Sequence, residues 1–365
     1  MTADRRRAIA APAGGFRHIA VLRLSSLGDV VLTLPVVHAL AAAYPLARIS
    51  YWVKEEFRDV VRFDPAIAHV RELDRDARRI EDLVSMSAEL EDCDLIVDLH
   101  HNLRTRVLTA RQKAPVLTPP AARVQRERWV RARWTHPAPL AHVTERYAAA
   151  LDPLGIRVAG TPALSAGTEA QAWAREWIAA WRPATATLAP EDDPAWHARR
   201  PPIAMFPAAR HATKRWIEAH WLVLHERLAA AGHPLLYCSL DRERTLFPAL
   251  ASFVDQDTRA RWCTEPLPRM AALISHCATA VTSDTGLMHV AAARGVRVVA
   301  MFGSTVPELG FAPSGAGHAM LCRHEPCQPC TLHGRSECPK VHFRCMKDLM
   351  PEQVLAAVEQ VLASR

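Results

Sequence analysis

The sequence predicts an α/β fold of two domains, each built around a parallel sheet, and three observations predict it. Short apolar runs alternate with helical patterns from Phe16 onward, which is typical of βαβ units. A proline-rich stretch at 183–202 interrupts the alternation, which restarts after it. The length of 365 residues also suits two ordinary domains better than one.

In the first half, the first strand is predicted at His18–Leu24, because this segment is nearly apolar on both faces, as a buried parallel strand is. A turn at 25–29 follows it, and then a helical segment in which Pro35 marks either a kink or the true helix start. Further strands are predicted at Arg48–Val53, Asp94–Leu99 and Pro115–Thr118.

The second half repeats the alternation after the proline-rich stretch. Strands are predicted at Ile203–Phe206, Pro234–Ser239, Ala280–Ser283 and Arg297–Phe302. Helices are predicted at Lys214–Ala230, Met270–His276, Thr285–Arg294 and Pro351–Leu362.

The predicted domain boundaries follow from these elements. They are an N-terminal domain at 16–182, a linker at 183–202, a C-terminal domain at 203–350 and a last helical segment at 351–365. That last segment could pack back on the N-terminal domain. Two α/β halves joined by a linker predict a cleft, which is where ligands usually bind.

Composition limits the class of protein and of partner. The chain is 50% hydrophobic with a net charge of +7, which favours an acidic partner such as a phosphorylated ligand, anionic lipid or nucleic acid. Nine cysteines are too few for a secreted disulfide scaffold. Without a signal-peptide pattern or a membrane-span pattern, we expect a cytoplasmic protein, with contact at the inner-membrane surface left open.

The segment 283–289, with the sequence SDTGLMH, follows a predicted strand and opens a helix. The first N–H groups of a helix are unpaired and lie at the positive end of its dipole, which favours a phosphate. Gly286 would allow close approach to the backbone, and Thr285 and His289 are spaced to face one ligand. Alternatively, Ser283 or Asp284 only caps the helix and His289 only packs.

A second segment leaves the first strand of the second half and enters a helix. Thr213 is predicted to cap that helix, with Lys214 and Arg215 in its first turn. Cations oppose the helix dipole there, so an anionic ligand would explain them. The alternative is two solvated charges on an exposed turn. Trp216 and Trp221 are predicted to lie in the core.

The third segment is the turn Ser25–Asp29 after the first strand. An Asp at the carboxyl end of a parallel strand lies at the ligand-binding edge of the sheet. Its carboxylate could act as a general base on a hydroxyl group. The alternative is that Asp29 only starts a helix.

Taken together and in this order, the three segments resemble the family 9 glycosyltransferases, the ADP-heptose:lipopolysaccharide heptosyltransferases. The resemblance lies in Gly28-Asp29, Lys214-Arg215-Trp216 and Asp284-Thr285-Gly286-x-x-His289, and it extends over roughly 17–362. One departure is 207–209, Pro-Ala-Ala, where the family more often has Pro-Gly.

The resemblance implies a GT-B fold, with the nucleotide-sugar donor on the C-terminal domain and the acceptor on the N-terminal one. It implies inverting transfer of heptose from ADP-heptose to the Kdo/heptose inner core, with no cofactor and no catalytic metal. Asp29 would be the catalytic base. The implied donor-binding residues are Thr213, Lys214, Asp284, Thr285, Gly286 and His289. The implied acceptor-binding residues are Ser26, Gly28 and Arg104.

Several other functions stay open at this point. They are a transferase with another sugar nucleotide or a protein acceptor, a sugar-nucleotide epimerase, and a non-enzymatic phosphate sensor. Neither GxGxxG nor GxxxxGK[ST] occurs, so nicotinamide and P-loop chemistry are not favoured. The Asp-x-Asp pairs at 74–76 and 255–257 are interpreted as solvated surface charges.

A basic run follows the predicted strand at 94–99. Between Arg104 and His136 the only acidic residue is Glu127, a bias that suits an acidic lipid-linked saccharide acceptor or the anionic membrane surface. Nucleic acid is the competing partner, but no binding motif for it occurs. The polar residues 98–102 could line the acceptor side or could be plain loop residues. The basic residues are Arg104, Arg106, Arg111, Lys113, Arg123, Arg126, Arg128, Arg131 and Arg133.

The last motif is a cluster of cysteines in 322–345. Cys327-x-x-Cys330 has the spacing of a metal knuckle, and Cys338 and Cys345 could complete a four-thiolate structural site. The second pair is spaced more widely than a standard CxxC, so unligated thiols are the first interpretation, a structural metal the second and a disulfide the last.

Overall fold

The computed structural model describes residues 8–73, 80–121, 123–131, 138–181 and 200–364. The chain forms two compact units. The first contains the residues up to Ala122 together with Ala141–Ser165, and the second contains Arg123–Leu140 and the residues from Ala166 onward. Each unit has its own parallel sheet, which confirms the predicted two-domain α/β fold.

The first sheet has the strand order β3-β2-β1-β4-β5, and its neighbouring strands are all parallel. Residues 19–22 of the central strand β1 are fully buried, which agrees with their apolar side chains on both faces of the sheet. The strands are β1 (His18–Leu22), β2 (Arg48–Lys54), β3 (His69–Leu73), β4 (Leu95–Asp98) and β5 (Val116–Leu117).

The helices of the first unit alternate with these strands. Pro35 occupies the first turn of its helix, so the interpretation of a helix start is confirmed over that of a kink. The helices are α1 (Leu27–Val31), α2 (Leu34–Ala43), α3 (Ile80–Ser87), α4 (Leu103–Thr109) and, after one helix of the second unit, α6 (Val143–Ala148).

The second sheet has the order β11-β10-β9-β6-β7-β8, again entirely parallel. Because β6 and β9 are neighbours at its centre, the loops that leave their carboxyl ends emerge side by side. The strands are β6 (Ile203–Phe206), β7 (Leu235–Cys238), β8 (Ala260–Cys263), β9 (Thr279–Ser283), β10 (Val298–Phe302) and β11 (Ala319–Cys322).

The helices of the second unit pack around a hydrophobic core that includes two tryptophans. Trp216 and Trp221 are buried with ring centroids 5.2 Å apart, as predicted, and Trp216 Nε1 donates to the carbonyl of Leu349 at 2.8 Å. The helices are α5 (Arg123–Arg131), α7 (Thr168–Ala180), α8 (Glu218–Ala230), α9 (Asp241–Arg244), α10 (Pro248–Gln256), α11 (Leu267–Ile274), α12 (Gly286–Ala293), α13 (Arg344–Lys347) and α14 (Pro351–Ala363).

The units divide differently from the predicted boundaries. Helix α7 was assigned to an N-terminal domain at 16–182, but it packs on α11 and belongs to the second unit. Helix α14 packs on α8 and on β9, β10 and β11 of the second unit, so the predicted return to the N-terminal domain is wrong. Of the predicted linker at 183–202, residues 183–199 lie outside the described part of the chain.

The helix after β6 begins later than predicted. Residues Ala212–Lys214 form a short 3-10 turn, and α8 begins only at Glu218. Arg215 and Ile217 have extended backbones, which let Trp216 reach the core between them. Lys214 therefore does not oppose the dipole of a helix, and the acidic Glu218 occupies the first turn, where it is favourable.

Within the described residues, no helix has both the length and the apolar character that a membrane span requires.

Candidate functional site

Asp29 lies just after β1 in the first turn of α1, and its carboxylate is held by four donors. Arg23 Nη2 lies 2.7 Å from Oδ1, and the Tyr147 hydroxyl donates to the same oxygen at 3.0 Å. Ser26 donates to Oδ2 through its hydroxyl at 2.8 Å and its backbone N–H at 3.3 Å. Asp29 therefore does lie at the start of a helix, which was the alternative interpretation. It is also ion-paired to Arg23, at the end of the central strand β1.

These contacts keep Asp29 ionised. Burial alone would raise the pKa of the carboxyl, but Arg23 and the hydrogen bonds from Ser26 and Tyr147 together lower it to about 2. A carboxylate has about four lone-pair positions, and four donors already use them. A hydroxyl that approaches Asp29 must therefore displace a neutral donor, either Tyr147 or Ser26.

The end of β4 lies beside that of β1, and Arg23 Nη1 joins the two by donating to the carbonyl of Leu99 at 2.8 Å. Asp98 accepts from the backbone N–H groups of His100 and His101, at 3.0 and 2.8 Å. Asn102 caps α4. Asp98 and Asn102 thus hold the local backbone, so they are loop-shaping residues rather than free acceptor contacts.

The side chain of His100, in the same loop, does not hold the local backbone as those of Asp98 and Asn102 do. Its Nδ1 is buried and has no hydrogen-bond partner among the described residues. Burial, followed by the charge of Arg23, lowers the pKa of this imidazole to about 4, so it is neutral at physiological pH.

The predicted acceptor residues take different positions. Ser26 contacts Asp29 directly, and Gly28 is buried within α1. Arg104 lies half-buried on α4, close enough to His100 for its charge to lower the pKa of that residue. The structure therefore brings Ser26 to the carboxylate and leaves Arg104 on the neighbouring helix.

The structure brings together the two segments predicted to bind the donor. Lys214 Nζ, after β6, lies 2.6 Å from Asp284 Oδ2, after β9. The Thr305 hydroxyl, after β10, donates to the same oxygen at 2.6 Å. Burial would raise the pKa of Asp284, but Lys214, Thr305 and the charge of His289 lower it, so the carboxylate stays ionised beside the lysine.

Helix α12 starts next to this ion pair. Thr285 is its N-cap residue, with extended backbone and no capping hydrogen bond from its side chain, and Gly286 is its first residue. Ser283 and Asp284 were the predicted N-cap residues, and the observed one, Thr285, directly follows Asp284. His289 is buried one turn into the helix. The start of an eight-residue helix therefore lies beside a lysine at the carboxyl edge of the sheet.

Thr213 has a different role from the predicted one. Its hydroxyl donates to Ser304 Oγ at 2.9 Å and accepts from the backbone N–H of Arg335 at 2.8 Å. It is buried, so it joins the loops beneath Lys214 rather than capping a helix or offering its hydroxyl to a ligand. Thr305 and Arg335 were not predicted, because no motif in the sequence marks them.

The predicted surface charges of the Asp-x-Asp pairs are wrong at one position, Asp257. Residues 74–76 lie outside the described residues. Asp255 is exposed as predicted, in an ion pair with Arg244. Asp257 is not a solvated charge, because it accepts from Arg259 and lies 2.9 Å from Nε2 of the buried His225.

Replacing Asp257 with Asn should lower the free energy of unfolding by about 1–3 kcal/mol at pH 7, since hydrogen bonds to charged groups are lost. Burial would raise the pKa of Asp257, but Arg259 and His225 lower it to about 2. The stabilisation is therefore complete above the unfolded pKa of about 3.9 and is lost as the pH falls towards 2. Urea unfolding of the parent and the variant measures this, and the difference between their free energies of unfolding should be smaller at pH 3 than at pH 7.

The matched control is Asp255→Asn, whose side chain is 58% exposed. It should change the free energy of unfolding by less than about 0.5 kcal/mol. Equal losses in the two variants would contradict the assignment of Asp257 to a buried network.

The four clustered cysteines line one small cavity together with Thr213 and Ser304. Burial, followed by the neighbouring Cys330, Cys327 and Cys338, raises the pKa of Cys345 to about 12. All nine cysteines lie in the described ranges, and none of them is in a disulfide. No group of three or more His, Cys, Asp or Glu side chains in the described ranges is arranged to hold a metal ion, so the predicted possibility of a structural site at Cys327, Cys330, Cys338 and Cys345 is not supported.

The basic run does not form one structural element. Its first four cations belong to the first unit, while α5 belongs to the second. Arg126 of α5 lies over the ring of Phe311, 5.8 Å from its centroid. Arg133 and the side chain of Arg123 lie outside the described residues.

Comparison with known proteins covers the Lys214 and Asp284 segments, whereas Asp29 lies outside the range that the family model matches. The model of glycosyltransferase family 9 (heptosyltransferase) matches residues 84–341, which is more than half of the chain. Lipopolysaccharide heptosyltransferase 1 of Pseudomonas aeruginosa is 27% identical, over 92% of each chain.

Two solved structures have the same fold. A family 9 glycosyltransferase from Veillonella parvula has a TM-score of 0.73 at 20% identity, covering 96% of this chain and 98% of the other. The E. coli ADP-heptose lipopolysaccharide heptosyltransferase II has a TM-score of 0.67 at 18% identity, covering 95% and 99%. At these identities the likeness establishes the GT-B fold alone.

Proposed function

Because the chain belongs to glycosyltransferase family 9 and is therefore a glycosyltransferase, we propose that it transfers heptose from ADP-heptose to the Kdo/heptose inner core of lipopolysaccharide. The similarity to a lipopolysaccharide heptosyltransferase over 92% of both chains supports the reaction class. The donor is supported by the fold that the chain shares with an E. coli ADP-heptose lipopolysaccharide heptosyltransferase.

The observation that carries the proposal is the Lys214–Asp284 ion pair beside the start of α12. A diphosphate needs several donors at once, and a lysine with the free N–H groups of a helix start supplies them. Thr285 and Gly286 provide the first of those groups, and His289 lies one turn further along. We assign the donor to this edge of the second unit.

The proposed acceptor site is the edge of the first unit around Asp29. The acceptor hydroxyl attacks the anomeric carbon as the bond from that carbon to the diphosphate oxygen breaks, which inverts the configuration. The electron pair leaves with the diphosphate, where Lys214 and the helix start stabilise the developing charge. The proton passes to Asp29, which its neighbours keep ionised, after the acceptor hydroxyl has displaced Tyr147 or Ser26 from the carboxylate.

The acceptor is proposed to be an acidic lipid-linked saccharide, reached at the cytoplasmic face of the inner membrane. The net charge of +7 and the basic side chains of the 104–131 region support an anionic partner. Ser26 and Arg104 are the proposed acceptor contacts. Gly28 is buried in α1 and contributes only through the backbone of the turn.

The test is incubation of the protein with ADP-heptose and a heptose-deficient lipopolysaccharide acceptor. We expect ADP release and an acceptor heavier by one heptose. Transfer only with another sugar nucleotide, or only to a protein, would show a different substrate, and conversion of the sugar nucleotide without acceptor would show an epimerase. No turnover under any of these conditions would refute the proposal.

We further expect transfer to survive excess EDTA, because Lys214 and the start of α12 take the place of the cation that Asp-x-Asp transferases use. The measurement is initial rate with and without chelator, at equal ionic strength. Loss of activity that Mg²⁺ or Mn²⁺ restores would show a catalytic metal and direct attention to Asp74 and Asp76.

A further inference from the structure

Three side chains form a chain of contacts at the proposed donor site. Thr305 Oγ1 donates to Asp284 Oδ2 at 2.6 Å, and Lys214 Nζ lies 2.6 Å from the same oxygen. Thr305 and Asp284 are only 3% and 9% exposed, so water does not weaken these contacts. The direction of the Asp284 carboxylate, and with it the position of the lysine ammonium, therefore depends on Thr305.

The turn that carries Thr305 is fixed against the segment that carries Lys214. Ser304 N donates to the carbonyl oxygen of Thr213 at 3.1 Å. A Cβ atom on Gly303 would lie 2.5 Å from that oxygen and 2.9 Å from Met346 Cε. The 302–305 turn thus needs glycine at 303 so that the two loops can approach each other.

Gln328, in the cysteine-rich segment, closes this turn from its other side. The residue is 5% exposed, and its side-chain Oε1 accepts from the N–H of Glu325 at 2.7 Å. Its Nε2 lies within hydrogen-bond distance of the carbonyl oxygens of Phe302, Gly303 and Thr305 and has two N–H groups to donate among them. Buried carbonyl groups need a donor, so this one amide holds the backbone on both sides of the turn.

We propose that Thr305 and Gln328 are positioning residues of the donor site, which hold Asp284 and Lys214 in the arrangement that binds the diphosphate. The proposal rests on the proposed function. Gln328 fixes the turn, the turn aims the Thr305 hydroxyl, and that hydroxyl fixes Asp284. The cysteine-rich segment, which has no other assigned role, thereby becomes a support for nucleotide binding.

The test is calorimetric titration of the full-length protein with ADP. Thr305→Val keeps the shape of the side chain and removes its hydroxyl, and we expect ADP to bind up to about tenfold more weakly, since the lost hydrogen bond to the charged Asp284 sets the upper limit of the effect. Thr305→Ser keeps the hydroxyl and should restore binding to within about threefold of the parent. A merely structural role would not give this rescue of affinity.

The matched control is Thr279→Val. Thr279 is equally buried, but it lies at the amino end of β9 and donates to the carbonyl of Arg297 at 2.9 Å. This variant should lose stability in the same way as Thr305→Val and yet bind ADP like the parent. Gln328→Met removes the amide and leaves Thr305 intact, so it tests the same chain of contacts should Thr305→Val fail to fold.

The outcomes separate this inference from the proposed function. If the parent protein does not bind ADP, the proposed donor is wrong and the inference falls with it. If the parent binds ADP and both Thr305→Val and Gln328→Met bind it equally well, the inference alone is overturned. Weaker binding in both variants supports one connected chain of contacts if the double variant loses clearly less affinity than the product of the two single losses.

Discussion

Replacing Asp29 with Asn is expected to lower turnover by about two to four orders of magnitude, the usual contribution of a general base. The amide has nearly the shape of the carboxylate but cannot accept the proton from the acceptor hydroxyl. Binding of ADP should not change, because every residue assigned to the donor lies in the second compact unit. The measurements are single-turnover transfer and ADP affinity on the same preparation.

The structure also predicts a cost in stability for this variant. Arg23 and Asp29 are largely buried, with side chains 13% and 19% exposed, so the neutral amide leaves a guanidinium without its counter-ion. A lower melting temperature is therefore expected, and unchanged ADP affinity serves as the check that the protein is still folded during the assay.

Tyr147→Phe is the matched variant for Asp29. It removes one neutral donor to the same carboxylate and leaves the charge in place, so turnover should stay within about tenfold of the parent. Near-normal turnover in the Asp29→Asn protein would mean that Asp29 only pairs with Arg23 and starts α1, and that another group takes the proton.

The central strands of both sheets could be predicted because their sequences are apolar on both faces. In β1 and β6 every residue from the second position on is buried, and both strands were placed to within two residues. The strands β3, β8 and β11 were missed. All three are edge strands with partly exposed residues. The sequences of β3 (HVREL) and β8 (ARWC) mix polar and apolar residues, and β11 (AMLC) is apolar but only four residues long.

The site shows the same limit. Asp29, Lys214 and Asp284 stand out in the sequence because each follows a predicted strand. Their partners do not, because Tyr147 is 118 residues from Asp29 and Thr305 is 21 from Asp284. Such contacts arise only when the sheet brings distant loops together at its carboxyl edge.

Lys214→Ala is expected to weaken ADP binding by about 1.5–3 kcal/mol, which is roughly 10- to 150-fold in Kd. The ammonium lies at the edge where β6 and β9 end, beside the start of α12, and its charge would meet the diphosphate. Part of the loss is electrostatic, so it should shrink at high salt. Thr285→Val should lose less, through its hydroxyl alone.

The ion pair complicates the interpretation of this loss. Removing Lys214 leaves the buried carboxylate of Asp284 without its cation, and that carboxylate would itself repel a diphosphate. A loss in the single variant could therefore come from the missing contact or from the exposed negative charge. It should also lower the melting temperature, which a lysine on an open surface would not do.

Asp284→Asn decides between these two causes, because it removes the repelling charge while Thr305 can still donate to the amide oxygen. If Lys214 contacts the diphosphate, Lys214→Ala should cost a similar factor of affinity in the Asp284→Asn background as in the parent. If the lysine only neutralises Asp284, its removal in that background should cost almost nothing. Calorimetric titration of the four proteins with ADP measures this cycle. Unchanged affinity in Lys214→Ala and Thr285→Val together would place the nucleotide elsewhere and remove the main support for the proposed donor site.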